Sequence, residues 1–148
     1  MAETELSKAE RVKKFGEVFT PARIVGQMLD SLEAEAPEVW EPGKTFLDPC
    51  CGDGAFTLEI LRRKFERCRM RGDYSKALRT VWAMDIQAWC VEATIRNVEA
   101  LCGEYFRPTK ADLETIRDHV IQCDSLKIMR MIRDLRDRED PPTALGMT

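Results

Sequence analysis

No stretch of this sequence is apolar over anything near the ~20 residues that a helix needs to cross a bilayer. Its first residues, Met1 to Lys8, are polar and acidic, unlike a secretory leader. Histidine occurs once, at His119, and none of the six cysteines forms a CxxC pair, so zinc-ligand spacing is missing. Neither sign of charge dominates. The 23 Lys and Arg against 26 Asp and Glu leave a net charge of −3, which gives no global attraction to nucleic acid. There is no internal repeat, low-complexity tract or linker-like stretch. These absences exclude a membrane-spanning helix, a zinc module and a globally basic nucleic-acid binder. They predict a soluble, cytoplasmic protein without metal, whose thiols stay reduced and pack as small hydrophobes.

What is present is an ordinary globular composition. With 148 residues, 44% of them hydrophobic and 33% charged, the chain makes one domain. A charged lead-in covers 1–15, and 140–148 reads as a loose tail. Thr20 suits a helix N-cap and Pro21 the first helical position. Ile24, Val25, Met28, Leu29 and Leu32 then form one amphipathic stripe. Three short apolar strands are expected, at 45–47, 81–84 and 120–123. Helical patterns follow over 55–70, 87–102 and beyond Ser125, with a charged helix at 109–118. Residues 73–79 read as a second short helix or a loop. Trp82 and Trp89 read as core, and His119 as a surface or helix-end residue. Alternation of strands and helices predicts an α/β fold with a parallel sheet.

Each strand runs into an acid: Asp48, Asp85 and Asp124. In sheets of this kind ligands bind beyond the carboxyl ends of the strands. After the first strand, Gly52 and Gly54 let backbone approach a ligand closely. That glycine turn carries no GKS or GKT and is not GxGxxG, and Asp48 and Asp53 beside it would repel a pyrophosphate. An acidic glycine turn suits a cationic ligand instead, such as a sulfonium with an ammonium. Asp85 can accept the hydroxyls of a ribose. Asp124 can accept from an exocyclic amine, or can serve as a helix N-cap before Ser125 and Leu126.

The run from Phe46 to Phe56, with Asp48-Pro49-Cys50-Cys51-Gly52-Asp53-Gly54 at its centre, resembles the DPxxGxGxF motif of adenine-N6 DNA methyltransferases. Gly16 to Pro21 resembles that family's upstream FTP motif, Ala83 to Gln87 its second-strand motif, and Cys123 to Leu126 its third-strand motif. All four occur in the family's order. The resemblance implies an abbreviated Rossmann-like fold, the cofactor half of a restriction–modification methylase subunit, binding S-adenosylmethionine. Carried over residue by residue, it implies cofactor contacts from Phe19, Thr20, Pro21, Asp48, Pro49, Cys50, Gly52, Gly54, Phe56, Asp85, Ile86, Asp124, Ser125 and Leu126.

The family's catalytic [N/D/S]-P-P-[Y/F/W] motif is matched only by Asp140-Pro141-Pro142, followed by Thr143 where an aromatic residue would stack on the flipped base. Pro-Pro at that place also reads as a helix stop. No target-recognition region is recognised. The resemblance therefore implies a domain that acts with a partner chain, or a homo-oligomer, supplying the catalytic and target-reading parts. The alternative is a non-catalytic truncated homologue working as a regulatory or protein-interaction module. Contact with DNA would come through the partner or through the basic run Arg62 to Arg71, which otherwise reads as a solvated helix face. The first strand is expected at an exposed sheet edge, covered by the last helix or by another chain.

Overall fold

The computed structural model describes Ser7 and residues 19–139. The rest of the lead-in, Gly16 to Val18, and the tail with Asp140, Pro141 and Pro142 lie outside the described residues. Helix α1 spans Ala22–Glu35 and is followed by a 3-10 turn at Pro37–Trp40. Then come β1 (Phe46–Asp48), α2 (Ala55–Arg67), α3 (Arg71–Arg79), β2 (Val81–Asp85), α4 (Ala88–Tyr105), α5 (Lys110–His119), β3 (Val120–Gln122) and α6 (Ser125–Glu139). The strands form one parallel sheet in the order β1-β2-β3, with Phe46 opposite Val81 and Ala83 opposite Val120. This is an α/β architecture with helices flanking a parallel sheet. Among the described residues, no helix is long and apolar enough to cross a membrane.

Boundaries differ from the sequence expectation where local hydrogen bonds compete with periodicity. Pro21, not Thr20, occupies the N-cap of α1, and its carbonyl accepts from the N–H groups of Ile24 and Val25. Helix α2 ends at Arg67 rather than near Met70. The Asp73 carboxylate accepts from the N–H groups of Arg69 and Met70, which stops α2 and starts α3. Residues 71–79 are accordingly a helix. Thr109 and Asp112 cap α5 reciprocally, each side chain bonding the other's backbone N–H.

Thr57, Ile60, Leu61, Lys64 and Phe65 make the buried face of α2, at the spacing of one helical stripe. Of these, Ile60, Leu61 and Phe65 join Val91, Ile95, Val98 and Leu101 of α4 and Val81 and Ala83 of β2 in one core. Each fully buried Leu or Phe contributes roughly 1.5–3 kcal/mol. Along β2, Val81, Ala83 and Asp85 are buried while Trp82 and Met84 are only partly so. Register places Leu47 opposite Trp82 and Met84 opposite Ile121, so these four share the less covered face. Leu47 is 50% exposed there. Trp82 lies partly buried against His119, the rings 3.6 Å apart and nearly parallel, with His119 at the end of α5. The six cysteines are free thiols.

Lys64 belongs by sequence to the basic run, yet its side chain is fully buried. Its ammonium donates to the carbonyls of Glu41, Pro42 and Lys44 and to Thr80 Oγ1. Burial pushes its pKa down to about 8, with the Cys68 thiol acting the other way. Around it the run is engaged internally. Arg63 bonds Asp30 and Glu59, Arg67 bonds Glu33, Arg62 lies near Glu59 and Glu104, and Arg71 bonds Asp112.

Two predictions arise here. Lys64→Met removes all four hydrogen bonds of the ammonium, leaving the Glu41 and Pro42 carbonyls only their bonds from Lys44 N–H and Thr80 Oγ1, and lowers stability by roughly 3 kcal/mol, read from the denaturant midpoint. Asp112 supplies a pH signature. Burial opposes its charge, but bonds from Ser75, the Thr109 N–H and Arg71 outweigh it and hold its pKa down to about 2, against the ordinary 3.8. A carboxylate depressed on folding contributes stability above its unfolded pKa and loses it as pH falls through the folded one. Stability therefore drops between about pH 4 and 2, and Asp112→Asn flattens that part of the curve.

Candidate functional site

The carboxyl ends of β1 and β2 lie side by side, and the turn after β1 crosses toward β2. Cys51 N–H donates to the Met84 carbonyl at 2.8 Å, extending the pairing beyond β1. Gly52 N–H then donates to Asp85 Oδ2 at 3.0 Å, and Gln87 N–H donates to Oδ1 of the same carboxylate at 2.9 Å. Asp85 is thus buried at its strand end, oriented by two backbone donors. Asp48, also buried, accepts from Thr57 Oγ1 at 2.8 Å and from Cys50 N–H at 3.4 Å.

Gly52 and Gly54 have φ of +55° and +98°, a region that side chains rarely adopt. A Cβ on Gly52 would lie 2.8 Å from the Phe19 ring, and one on Gly54 would lie 3.2 Å from Thr94. The turn is gripped from α4 as well. Thr94 Oγ1 donates to the Gly52 carbonyl at 3.0 Å, and Asn97 Nδ2 donates to the Asp53 carbonyl at 2.9 Å. Sequence reasoning did not single out Thr94 or Asn97. Thr94 is a polar residue on the buried face of α4 and Asn97 lies on its exposed side, and their role is visible only once α4 packs beside the turn.

The cleft is electrostatically negative. Burial raises the Asp48 pKa above the ordinary carboxylate range, and the nearby Asp85 charge adds to this, while the Thr57 and Cys50 bonds oppose it. The Cys50 thiol is raised first by burial and then by both carboxylates. Burial pushes Cys51 up to about 12, with Thr94 opposing and the same two carboxylates adding. A thiol raised in this way is a poor nucleophile and metal ligand. Among the described residues, no group of His, Cys, Asp and Glu is arranged to hold a metal ion.

The remaining candidates spread around this centre. Phe19 and Thr20 are half-buried and Pro21 is exposed at the start of α1, while Pro49 is half-buried in the turn. Phe56 packs partly buried against the core. Ile86 is 62% exposed, one residue beyond Asp85. Asp124 follows β3, which is tied to β2 by Cys123 N–H donating to the Asp85 carbonyl. Its Oδ1 accepts from the N–H groups of Leu126 and Lys127, so the side chain caps α6. Trp89, expected in the core, is 39% exposed beside this cleft.

A Gly43-Lys44-Thr45 triplet stands before β1. It is no phosphate loop. Such a loop follows a strand and opens a helix, whereas this one precedes a strand and has Glu38 where the leading glycine belongs. It borders an open hollow of about 470 Å³ with Arg67, Arg69 and Lys76.

Over 101 residues, 68% of its length, the chain is 31% identical to the type II methyltransferase M.VspI of Vibrio sp. (strain 343). The chain is a distant, partial relative of that methyltransferase. It spans about a fifth (21%) of the relative's length. No family model and no solved structure matches it. The glycine-turn geometry provides its own test. Gly54→Ala places a side chain at φ +98° against the buried Thr94. It should lower stability by roughly 1–2 kcal/mol or more in chemical denaturation.

Proposed function

We propose that this chain is a Rossmann-like S-adenosylmethionine-binding domain of the adenine-N6 DNA methyltransferase type, acting with a partner that supplies the catalytic and target-reading parts. One observation carries the reading. Two buried carboxylates, Asp48 and Asp85, flank a glycine turn whose backbone is held in the left-handed region. Negative charge on both sides of that turn disfavours a phosphate and favours a ligand with cationic centres. S-adenosylmethionine is such a ligand, with a sulfonium, an ammonium and no phosphate.

The residues present fit the group. Asp85 has its two oxygens oriented by Gly52 and Gln87, leaving acceptor lone pairs for a ribose diol. Asp48 contributes negative charge toward the cationic end. Phe19 and Ile86 offer apolar surface beside Asp85. Asp124 and the first turn of α6 stand at the end of β3, where an adenine amine would find an acceptor. When bound, the group supplies an activated methyl. This chain's residues bind and align it, which is how proximity lowers a barrier for direct transfer. Asp140, Pro141 and Pro142 are the candidate acceptor contacts in this sequence, and a partner's equivalent takes that role where they do not.

Support for a partner comes from the apolar surface left open. Leu126, Met129, Met131, Ile132 and Leu135 of α6 are exposed, and β1 stands at the sheet edge with Leu47 partly exposed. Exposed apolar stretches of this kind mark interaction sites, and strand edges invite pairing. In this reading DNA is contacted chiefly through the partner, since most of the Arg62 to Arg71 run is engaged with carboxylates. The same open helix favours a second reading, a regulatory module that transfers no methyl. Methyl transfer to DNA by the isolated chain, abolished in Asp140→Ala, would exclude the second reading.

Calorimetric titration with S-adenosylmethionine tests the cofactor site. The wild type is expected to bind. Asp85→Ala is expected to weaken binding by at least roughly tenfold, as loss of a charged hydrogen-bond acceptor does. A folded wild-type chain that takes up no cofactor would sink this reading.

A further inference from the structure

The largest side chain bordering the cleft has no part in the reading so far. Trp89 sits in the first turn of α4, four residues after Asp85, and 39% of it is exposed. It is not loosely placed. Its indole N–H donates to Gln87 Oε1 at 2.6 Å, and Gln87 is the residue whose own N–H orients Asp85. Its ring meets Phe19 edge to face, centroids 6.0 Å apart and planes at 74°. Phe19 in turn lies against Gly52, so closely that no Cβ fits between them. Gly52 closes the circuit by donating to Asp85.

From this chain of contacts, and resting on the ligand reading above, we propose that Trp89 is a positioning residue of the site. Fixed by Gln87, it holds the Phe19 ring against the glycine turn. It thereby sets the apolar wall beside Asp85 against which the flat heteroaromatic part of a nucleoside-like ligand lies. The physical reason is geometric. Phe19 precedes α1, and among the described residues its ring packs against Gly52 and Trp89, so its angle over Gly52 depends on that packing. An edge-to-face partner with a hydrogen-bonded indole defines that angle, whereas an aliphatic side chain fills space without defining it. The exposure of Trp89 fits this role, because a core tryptophan would be covered.

The test compares Trp89→Phe, Trp89→Leu and Trp89→Ala with the wild type, titrating S-adenosylmethionine and adenosine by calorimetry and following tryptophan emission. Folding of each variant is checked by circular dichroism. Trp89→Phe keeps the edge-to-face contact but loses the Gln87 bond, and should lose no more than about twofold, while the leucine and alanine variants, which lose both, drop roughly three- to tenfold for both ligands. Ligand addition should change emission in the wild type, and that change should vanish in Trp89→Phe although Trp40 and Trp82 remain. Equal affinity in the leucine and phenylalanine variants would overturn the proposal, since mere packing would then suffice. Unchanged affinity in Trp89→Ala would overturn it too, with the cofactor reading intact. Absence of binding by the wild type would overturn both. If Trp89→Ala does not fold, the phenylalanine and leucine pair decides.

Discussion

A single buried ammonium fastens the end of the sheet opposite the cleft. Lys64 reaches from α2 to three carbonyls of the segment 41–44 and to Thr80, the residue before β2. The segment before β1 and the turn before β2 are thereby gathered at one point. Phe46 N–H then pairs with the Thr80 carbonyl at 2.8 Å, so the register of β1 on β2 begins at this knot. A buried charge is tolerable only when hydrogen-bonded, and here three loop carbonyls and the Thr80 hydroxyl provide the bonds. Because β1 is three residues long, its own ladder is too short to hold register unaided.

At the other end of the same strands the acids do the fastening. Asp85 draws in the N–H of Gly52 and that of Gln87, so the turn after β1 and the start of α4 are organised around one carboxylate. Thr94 and Asn97 add bonds to the turn's carbonyls. The turn's N–H and C=O groups are thus divided between β2 and α4. A ligand approaching Asp85 meets a group already oriented by the backbone, so little ordering remains to be done on binding. The arrangement is local in sequence only in part. Gly52 and Asp85 are joined across α2 and α3.

Charge is distributed with the same economy. The cleft collects Asp48 and Asp85, while most arginines of α2 lie against carboxylates of α1, α2 and α4. Exposed pairs of this sort add little stability individually. Their effect is on what the surface offers. The helix that looks basic in sequence presents a largely compensated flank, and the uncompensated features are the acidic cleft and the apolar side of α6.

Much of the order of elements was legible from the residues. The helical stripe Ile60, Leu61 and Phe65 and the apolar strands before Asp48, Asp85 and Asp124 needed only periodicity and turn chemistry. The glycine turn at 52 and 54 was legible as a place of close backbone approach, while the positive φ of both glycines came only with the fold. The stop of α2 at Arg67 was less visible, because it depends on Asp73 capturing two N–H groups across a turn. Lys64 stood on the apolar spacing of α2, yet its charge grouped it with its arginine neighbours. Only the folded loop carbonyls make its burial possible. Trp89 was the reverse case, an apolar residue at core spacing that the end of the sheet leaves beside the cleft. Sequence alone determined which residues end the strands and where the backbone must turn, because those are local demands. Tertiary structure decided that Gly52 N–H reaches Asp85, what Phe19 lies against and that α6 stays uncovered among the described residues, because each depends on groups tens of residues apart.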